Sequence, residues 1–369
     1  MSCLIHVGNP PVVGRFGLLV LLAISWSALV SGDQVTFRDS ARDPARIRTV
    51  DGEVLVEAAD GGIMLRGDDG QIWIVQPEEI QRRVHATTPS PAEADDVALR
   101  WQSALPAGFE TFQTAHYVVC HPGDEGYARR VGTLFESLYR AFFTYFQNLG
   151  VDLHEPSFPL VAIVFSDHRQ FLKHAKAEIG STAEHVIGYY HLQNNAMTTF
   201  RIPNLERNIA TMVHEATHQL AYNCGLQTRF ADNPMWVSEG MAIFFESPDF
   251  SSPRGWRAVG RVNTVNLARW KRYVPGRRSD SLRTLISDDS RFQSAATAES
   301  AYAESWALTY FLLRTRRSEF VSYLDRLRGA ERLRDVPPNE RIEILEGSLG
   351  MTLEEIDRAF LTYMRTVRR

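Results

Sequence analysis

The stretch that decides the fold is Leu205–Asn223, which reads LERNIATMVHEATHQLAYN. Asn204 before it is a favourable helix cap, so the pattern predicts a single helix. His214 and His218 are four residues apart, which puts both imidazoles on one face of that helix. At this spacing the two rings can direct nitrogens at one point about 2.0–2.1 Å from each, as zinc ligands do. Glu215 borders the same point without being needed as a ligand, where a base for an activated water belongs.

A second helix supplies a candidate for the third ligand that a catalytic zinc site needs. Asn233-Pro234 is a typical helix start, with Asn as the cap, and the segment after it reads MWVSEGMAIFFE. Glu239 is a lone acid in an apolar run, which is best explained if a cation pairs with it. Gly240 would allow close packing of this helix on the first one, and Ser238 could support a histidine. The alternatives are an ordinary helix-surface acid at position 239 and two histidines that are one turn apart by coincidence.

These two helices resemble those of the gluzincins, the peptidase-MA-like zinc metallopeptidases. The segments HEATHQLAYNCGLQTR, NPMWVSEGMAIFFES and AYAESWALTYFLL are similar to one bacterial branch of exported peptidases. The resemblance covers roughly residues 110 to 366. It implies one Zn²⁺ held by His214, His218 and Glu239, with Glu215 as general base and proton shuttle. The implied activity is hydrolysis of a peptide bond in a peptide or protein substrate by a zinc-activated water.

The resemblance also implies how the substrate is held. An edge strand around Gly188–Phe200 would line the cleft and pair with an extended peptide, because a free strand edge offers main-chain hydrogen bonds. Asn194, Asn195 and Ala196 are the expected contact region.

A tetrahedral oxyanion needs an electrophilic partner, which the resemblance places in the helical C-terminal part. Tyr302 is the first candidate for this catalytic role, followed by Tyr310 and His191. The alternative for each is a packed aromatic ring or a solvated histidine.

The N-terminus has the layout of a secretory signal over residues 1–32, with Arg15 followed by the apolar run Phe16–Val30. This predicts an exported protein, located in the periplasm, the cell envelope or the medium. A retained N-terminal anchor is the alternative, and otherwise no membrane span is expected. An oxidising compartment would permit Cys120 and Cys224 to pair.

The rest of the chain predicts an α+β fold in two parts. Residues 33–84 have short β-type segments punctuated by Asp-Gly pairs at 51, 60 and 69, which predict a small β-meander. Residues 85–99 have the composition of a linker. Residues 100–369 alternate strands and helices and then become helical, which predicts a mixed sheet, an exposed edge strand and a helical C-terminal part. The resemblance implies that these elements form a thermolysin-like domain.

Composition excludes some functions. The 369 residues include 40 basic and 44 acidic ones, and the net charge of −4 gives no reason to expect nucleic acid as a partner. The segment Phe250–Ser279 is locally basic, which suggests an acidic substrate, although a solvated arginine-rich loop is the alternative. The sequence has no Gly-x-Ser-x-Gly elbow and no Cys-x-x-Cys pair. The competing function is a catalytically silent exported binding or scaffold protein that keeps the fold.

Overall fold

The computed structural model of the chain describes residues 31–39, 46–87, 89–246 and 259–368. The predicted signal therefore lies outside the described residues, apart from Ser31 and Gly32, which begin the first strand. Within the described ranges, no helix is both long enough and apolar enough to cross a bilayer.

The first unit is an antiparallel five-stranded sheet with the order β4-β3-β2-β1-β5. Its strands are β1 (Ser31–Arg38), β2 (Ile47–Glu57), β3 (Ile63–Gly67), β4 (Ile72–Val75) and β5 (Ile80–Thr87). Alternate apolar residues of these strands form a small core of their own, which contains Val35, Phe37, Ile63, Leu65 and Val75.

Two of the three Asp-Gly pairs in this unit are turns. Gly61 and Gly70 have positive φ angles, as tight turns require. The predicted turn at Asp51-Gly52 is wrong, because both residues lie inside β2. Gly52 instead allows the backbones of β2 and β3 to lie close together, because an added Cβ would overlap the carbonyl oxygen of Arg66 on β3.

A structured connection replaces much of the predicted linker. Strand β5 runs to Thr87, and helix α1 (Ala94–Ala104) begins seven residues later. The acids Asp95 and Asp96, which resemble linker composition, occupy the first turn of α1, where negative charge is favourable.

The second sheet is mixed and has the order β6-β7-β8-β10-β9. Its strands are β6 (Glu110–Gln113), β7 (Tyr117–His121), β8 (Leu160–Phe165), β9 (Gly188–Tyr190) and β10 (Ala196–Phe200). The central strands β7, β8 and β10 are parallel, and β6 and β9 pair antiparallel at the edges. Helices α2 (Glu125–Asn148) and α3 (His168–Ile179) connect the strands. Alternate residues of β8 belong to two separate cores, so the sheet is covered on both faces.

The C-terminal part is helical, and the α+β prediction is confirmed. Its helices are α4 (Leu205–Asn223), α5 (Met235–Phe245), α6 (Thr264–Tyr273), α7 (Ser281–Ser287), α8 (Ser290–Gln293), α9 (Ala298–Thr315), α10 (Arg317–Arg328), α11 (Pro338–Leu349) and α12 (Leu353–Met364).

The first sheet docks on the turn between β9 and β10. The amide of Ile72 donates to the carbonyl oxygen of Gln193 at 2.7 Å. The buried guanidinium of Arg229 donates to the carbonyl oxygens of Gly70 and Leu192 at 2.8 and 3.2 Å. The turn at Gly70 also fits against Phe158, whose ring an added Cβ would overlap. Polar and steric contacts thus join the two parts.

Candidate metal centre

Helix α4 carries the two histidines and is fixed on the second sheet. The side chain of Asn204 caps it by accepting from the amide of Arg207 at 2.8 Å, as predicted. The side-chain amide of Gln219 donates to the carbonyl oxygens of Val161 and Asn195 at 2.9 and 2.7 Å. These buried bonds set the rotation of α4 about its axis, so that one helix face, with both imidazoles, is aimed at α5.

Helix α5 is held beside α4 by its packing against α9. An added Cβ at Gly240 would overlap Thr309 Oγ1 and lie 2.7 Å from the carbonyl oxygen of Ser305, so this glycine permits close packing against α9 and not, as predicted, against the helix with the histidines. The predicted cap is wrong by one residue, because Pro234 occupies the cap position. Asn233 instead donates to the carbonyl oxygens of Thr228 and Ala231 in the preceding loop.

His214, His218 and Glu239 converge. The two Nε2 atoms are 3.1 Å apart, His214 Nε2 lies 3.1 Å from Glu239 Oε2, and His218 Nε2 lies 3.7 Å from Glu239 Oε1. All three side chains are at most 2% exposed. Among the described residues, this is the group of acids, histidines and cysteines that could hold a metal ion.

The donor set fits zinc. Ligands about 2.0–2.2 Å from a tetrahedral zinc ion lie about 3.3–3.5 Å from one another, and the measured separations of 3.1, 3.1 and 3.7 Å bracket that value. Neither carboxylate oxygen of Glu239 receives a well-formed hydrogen bond, although both are buried. A cation between the three donors would compensate this carboxylate.

Glu246, at the C-terminal end of α5, orients the first histidine. Its Oε1 atom lies 2.6 Å from His214 Nδ1, and its Oε2 atom accepts from Asn263 Nδ2 at 3.4 Å. A carboxylate at this distance favours the Nδ1–H tautomer, which leaves the Nε2 lone pair facing Glu239 and His218. The sequence analysis missed Glu246. The available signal was its spacing, because seven residues after Glu239 is two helical turns along the same face.

The ionisation states suit metal ligands. Burial lowers the pKa of His218, although the Glu239 carboxylate opposes this, so the neutral imidazole is favoured. Burial alone would raise the pKa of Glu239, but the adjacent imidazoles of His218 and His214 outweigh it and hold the pKa well below its usual range. A neutral imidazole and an ionised carboxylate are the forms that coordinate zinc.

Glu215 lies against the edge strand. It is fully buried, and an added Cβ at Gly188 on β9 would be 3.1 Å from Glu215 Cγ and 2.9 Å from Thr211 Cγ2. The glycine therefore lets β9 approach the helix that carries the predicted base and two of the three predicted ligands.

The prediction of a single exposed edge strand around Gly188–Phe200 is wrong. The segment forms a hairpin in which only β9 lies at the edge, while β10 is enclosed between β8 and β9. Every residue of both strands is buried. The alternation of polar and aromatic residues suggested that one face of the strand meets solvent. In the structure, helices and polar networks cover both faces of β9 and β10.

The predicted contact residues Asn194, Asn195 and Ala196 build the hairpin turn. The Asn194 side chain donates to Glu178 Oε1 and accepts from the amide of Ala196. Asn195 has a φ of 62°, a conformation that asparagine tolerates, and its Oδ1 accepts from Tyr190 at 2.6 Å. These amide groups bond within the protein.

The oxyanion candidates lie in three places. Tyr302 is buried on α9 with its ring edge-on to Phe292 at 5.3 Å. Tyr310 is buried on the same helix beside Trp306. His191 lies at the hairpin turn, where its Nδ1 accepts from the amide of Asn194 at 3.2 Å.

Two other expectations have a different outcome. The Ser238 hydroxyl accepts from Gln227 Nε2 at 2.6 Å, so the structure assigns it this amide as a partner. Cys120 and Cys224 are buried and unbridged, because they lie in the cores on opposite faces of the second sheet. Burial raises the pKa of the Cys120 thiol to about 12.

The basic segment is largely neutralised. Arg254 and Arg257 lie outside the described residues. Arg269 and Arg272 pair with Glu299, Arg278 with Asp280, and Arg277 with Glu304 and Asp357. The remaining described cations of the segment are Arg261, which also has interactions, and Lys271.

Fold and site together define an α+β protein with a candidate metal centre on two adjacent helices. The family described as "Protein of unknown function (DUF1570)" matches residues 208–332, a range that contains His214, Glu215, His218, Glu239 and Tyr302. No curated protein matches the chain.

Proposed function

We propose that the protein is an exported zinc-dependent metallopeptidase of the gluzincin type, which hydrolyses peptide bonds with Glu215 as general base. The observation that carries the proposal is the set of three donor separations of 3.1 to 3.7 Å among His214, His218 and Glu239. Two imidazoles and one carboxylate are a set found in catalytic zinc sites, where a fourth position stays available for chemistry.

His214, His218 and Glu239 would hold the ion, and Glu246 keeps the first imidazole in the correct tautomer. When bound, zinc supplies Lewis acidity, which polarises a carbonyl group and lowers the pKa of water. Glu215 takes the proton from the attacking water and delivers it to the leaving amine. The proposal includes β9 as the strand that pairs with an extended substrate and Tyr302 as the oxyanion partner.

The decisive experiment combines elemental analysis with cleavage of a peptide library. We expect one zinc per chain in the wild type and cleavage that a chelator abolishes. Glu215→Gln should keep its zinc and lose activity by about 10²–10⁴-fold, because it removes the base and leaves the ligands. Glu206→Gln, on the exposed first turn of the same helix, is the matched control and should behave as wild type. Equal activity of Glu215→Gln and wild type would refute the mechanism.

The role of Tyr302 has its own test. Tyr302→Phe should lower kcat by about 10²-fold with little change in KM, because an oxyanion donor acts in the transition state. Tyr310→Phe, on the same helix, should leave kcat unchanged. If both variants keep the wild-type kcat, the oxyanion partner is another group.

The alternative is an exported scaffold protein with a structural metal. The burial of all three donors and of Glu215 favours it, because structural zinc sites are closed. It predicts stoichiometric zinc, no chelator-sensitive cleavage by the wild type, and a strong loss of thermal stability on metal removal.

A further inference from the structure

A groove of about 450 Å³ lies on the C-terminal helical part, between α6 and α12. The end of α6 and the turn after it form one wall, and the last turns of α12 form the other. The lining residues are Trp270, Lys271, Val274, Pro275, Arg277, Leu361, Met364 and Arg365. This volume is within the range of sites that enclose a small ligand or a few side chains.

The floor of the groove is apolar and recessed. Trp270 is 2% exposed and Met364 is 3% exposed, and the ring of Trp270 packs on Phe360 at 5.0 Å. The apolar surface that a ligand can reach is supplied by Val274 and Leu361, which are half-buried. The floor therefore suits a protruding apolar group.

The rim of the groove is positively charged. Lys271 and Arg365 are exposed, and neither has an ion-pair partner within the described part of the chain. Arg277 also lines the groove, but Glu304 and Asp357 neutralise it. In a chain whose net charge is −4, this is a local excess of two unpaired cations around an apolar floor.

We propose that this groove binds acidic peptide segments that carry a large apolar side chain, and that it serves as a docking site for protein substrates. The carboxylates would pair with Lys271 and Arg365 while the apolar side chain covers Val274 and Leu361. Two cations give too small a positive patch to bind a polyanion such as nucleic acid. The substrate role rests on the proposed peptidase activity, but the binding does not.

Binding is tested on the full chain by fluorescence anisotropy. The probe is a fluorescein-labelled hexapeptide with a Leu-Phe pair between two pairs of aspartates. Peptides with asparagine for aspartate, or with Gly-Gly for Leu-Phe, test charge and apolar contact separately. We expect micromolar binding of the probe and at least about tenfold weaker binding of either altered peptide, because charge and apolar burial both contribute.

The matching variants reverse the rim charges. Lys271→Glu with Arg365→Glu should raise the Kd of the probe by about tenfold or more, and the milder Lys271→Ser with Arg365→Ser should raise it less. The control is Lys173→Glu with Arg169→Glu, which makes the same charge change on exposed positions of α3 and should leave the Kd unchanged. Equal loss in the control, or tight binding of oleate without binding of the peptide, would overturn the proposal.

Cleavage then tests the substrate role. A cleavable reporter peptide fused to the acidic hexapeptide should show a KM about tenfold lower than the untagged reporter. The groove variant should remove this difference and keep the untagged kcat/KM. If the wild type cleaves neither reporter, the proposed function fails while the anisotropy result still decides the binding site. An equal KM for both reporters with active enzyme would refute the docking role.

Discussion

At the scale of single residues, Glu246 determines how His214 is presented. Its carboxylate lies 2.6 Å from His214 Nδ1. We expect Glu246→Gln to weaken zinc binding by about 10–100-fold, because an outer carboxylate fixes the ring and raises its basicity. Competition with a chromophoric chelator measures this affinity. The control is Glu299→Gln, which removes one partner of an exposed surface ion pair. An unchanged zinc affinity in Glu246→Gln would contradict the assignment of Glu246 as the residue that orients His214.

Glu178 is the residue from which we expect a pH effect on stability. Burial opposes its ionisation, but a hydrogen bond and charge from His174, with further help from His191 and Tyr189, lower the pKa from 4.5 to about 2. A lowered pKa gives stability that is fully present above pH 4.5 and is lost as the pH falls towards 2.

The free energy of unfolding should therefore fall by about 2–3 kcal/mol from this group between pH 4.5 and 2. Glu178→Gln should be less stable at pH 7 and should show a flatter dependence in that window. Denaturant unfolding at several pH values measures both. If the free energy of unfolding changed with pH in parallel for wild type and variant, Glu178 would not be the source of the pH dependence.

At the scale of elements, the contact between α5 and α9 positions Glu239. Gly240→Ala would force a Cβ against Thr309 and the backbone of Ser305. We expect it to destabilise the fold by about 1–3 kcal/mol and to weaken zinc binding, because α5 must move. Gly347→Ala on α11 is the control, since its added Cβ meets only the end of Arg326 at 3.5 Å. That change should stabilise by about 0.5–1 kcal/mol.

The elements that carry the site were predictable, and their surroundings were less so. The bounds of α4 agree with the prediction because a cap, an amphipathic pattern and a spaced histidine pair all act locally. The pairing of Glu239 with both histidines could be inferred from an acid in an apolar run. The hairpin of β9 and β10 could not, because a strand that is covered on both faces loses the alternation that marks it. The role of Asn195 depends on a positive φ in a buried turn, which its residue type permits without requiring.

At the scale of the whole molecule, the first sheet and the second part should unfold together. Gly70→Ala would introduce strain at a φ of 78° and a clash with Phe158. Gly61→Ala adds comparable backbone strain at a φ of 93°, but no other atom lies within 4 Å of its added Cβ. The difference in the free energy of unfolding between the two variants therefore measures the docking contact with Phe158. We expect Gly61→Ala to cost about 1–2 kcal/mol and Gly70→Ala at least about 1 kcal/mol more.

Calorimetry and limited proteolysis would measure this coupling. We expect one unfolding transition in the wild type, and faster proteolysis of residues 46–87 in Gly70→Ala only. Two well-separated transitions in the wild type would show that the sheet is an independent unit.

The shortness of β9 has a consequence for solubility. An open strand edge is a template on which any other strand can add, including one from a second copy of the chain. With three residues, Gly188–Tyr190, the edge offers too few main-chain groups to start a growing intermolecular sheet. The molecule can thus stay soluble at high concentration without polymerising through this edge, and we expect lengthening the strand to promote aggregation.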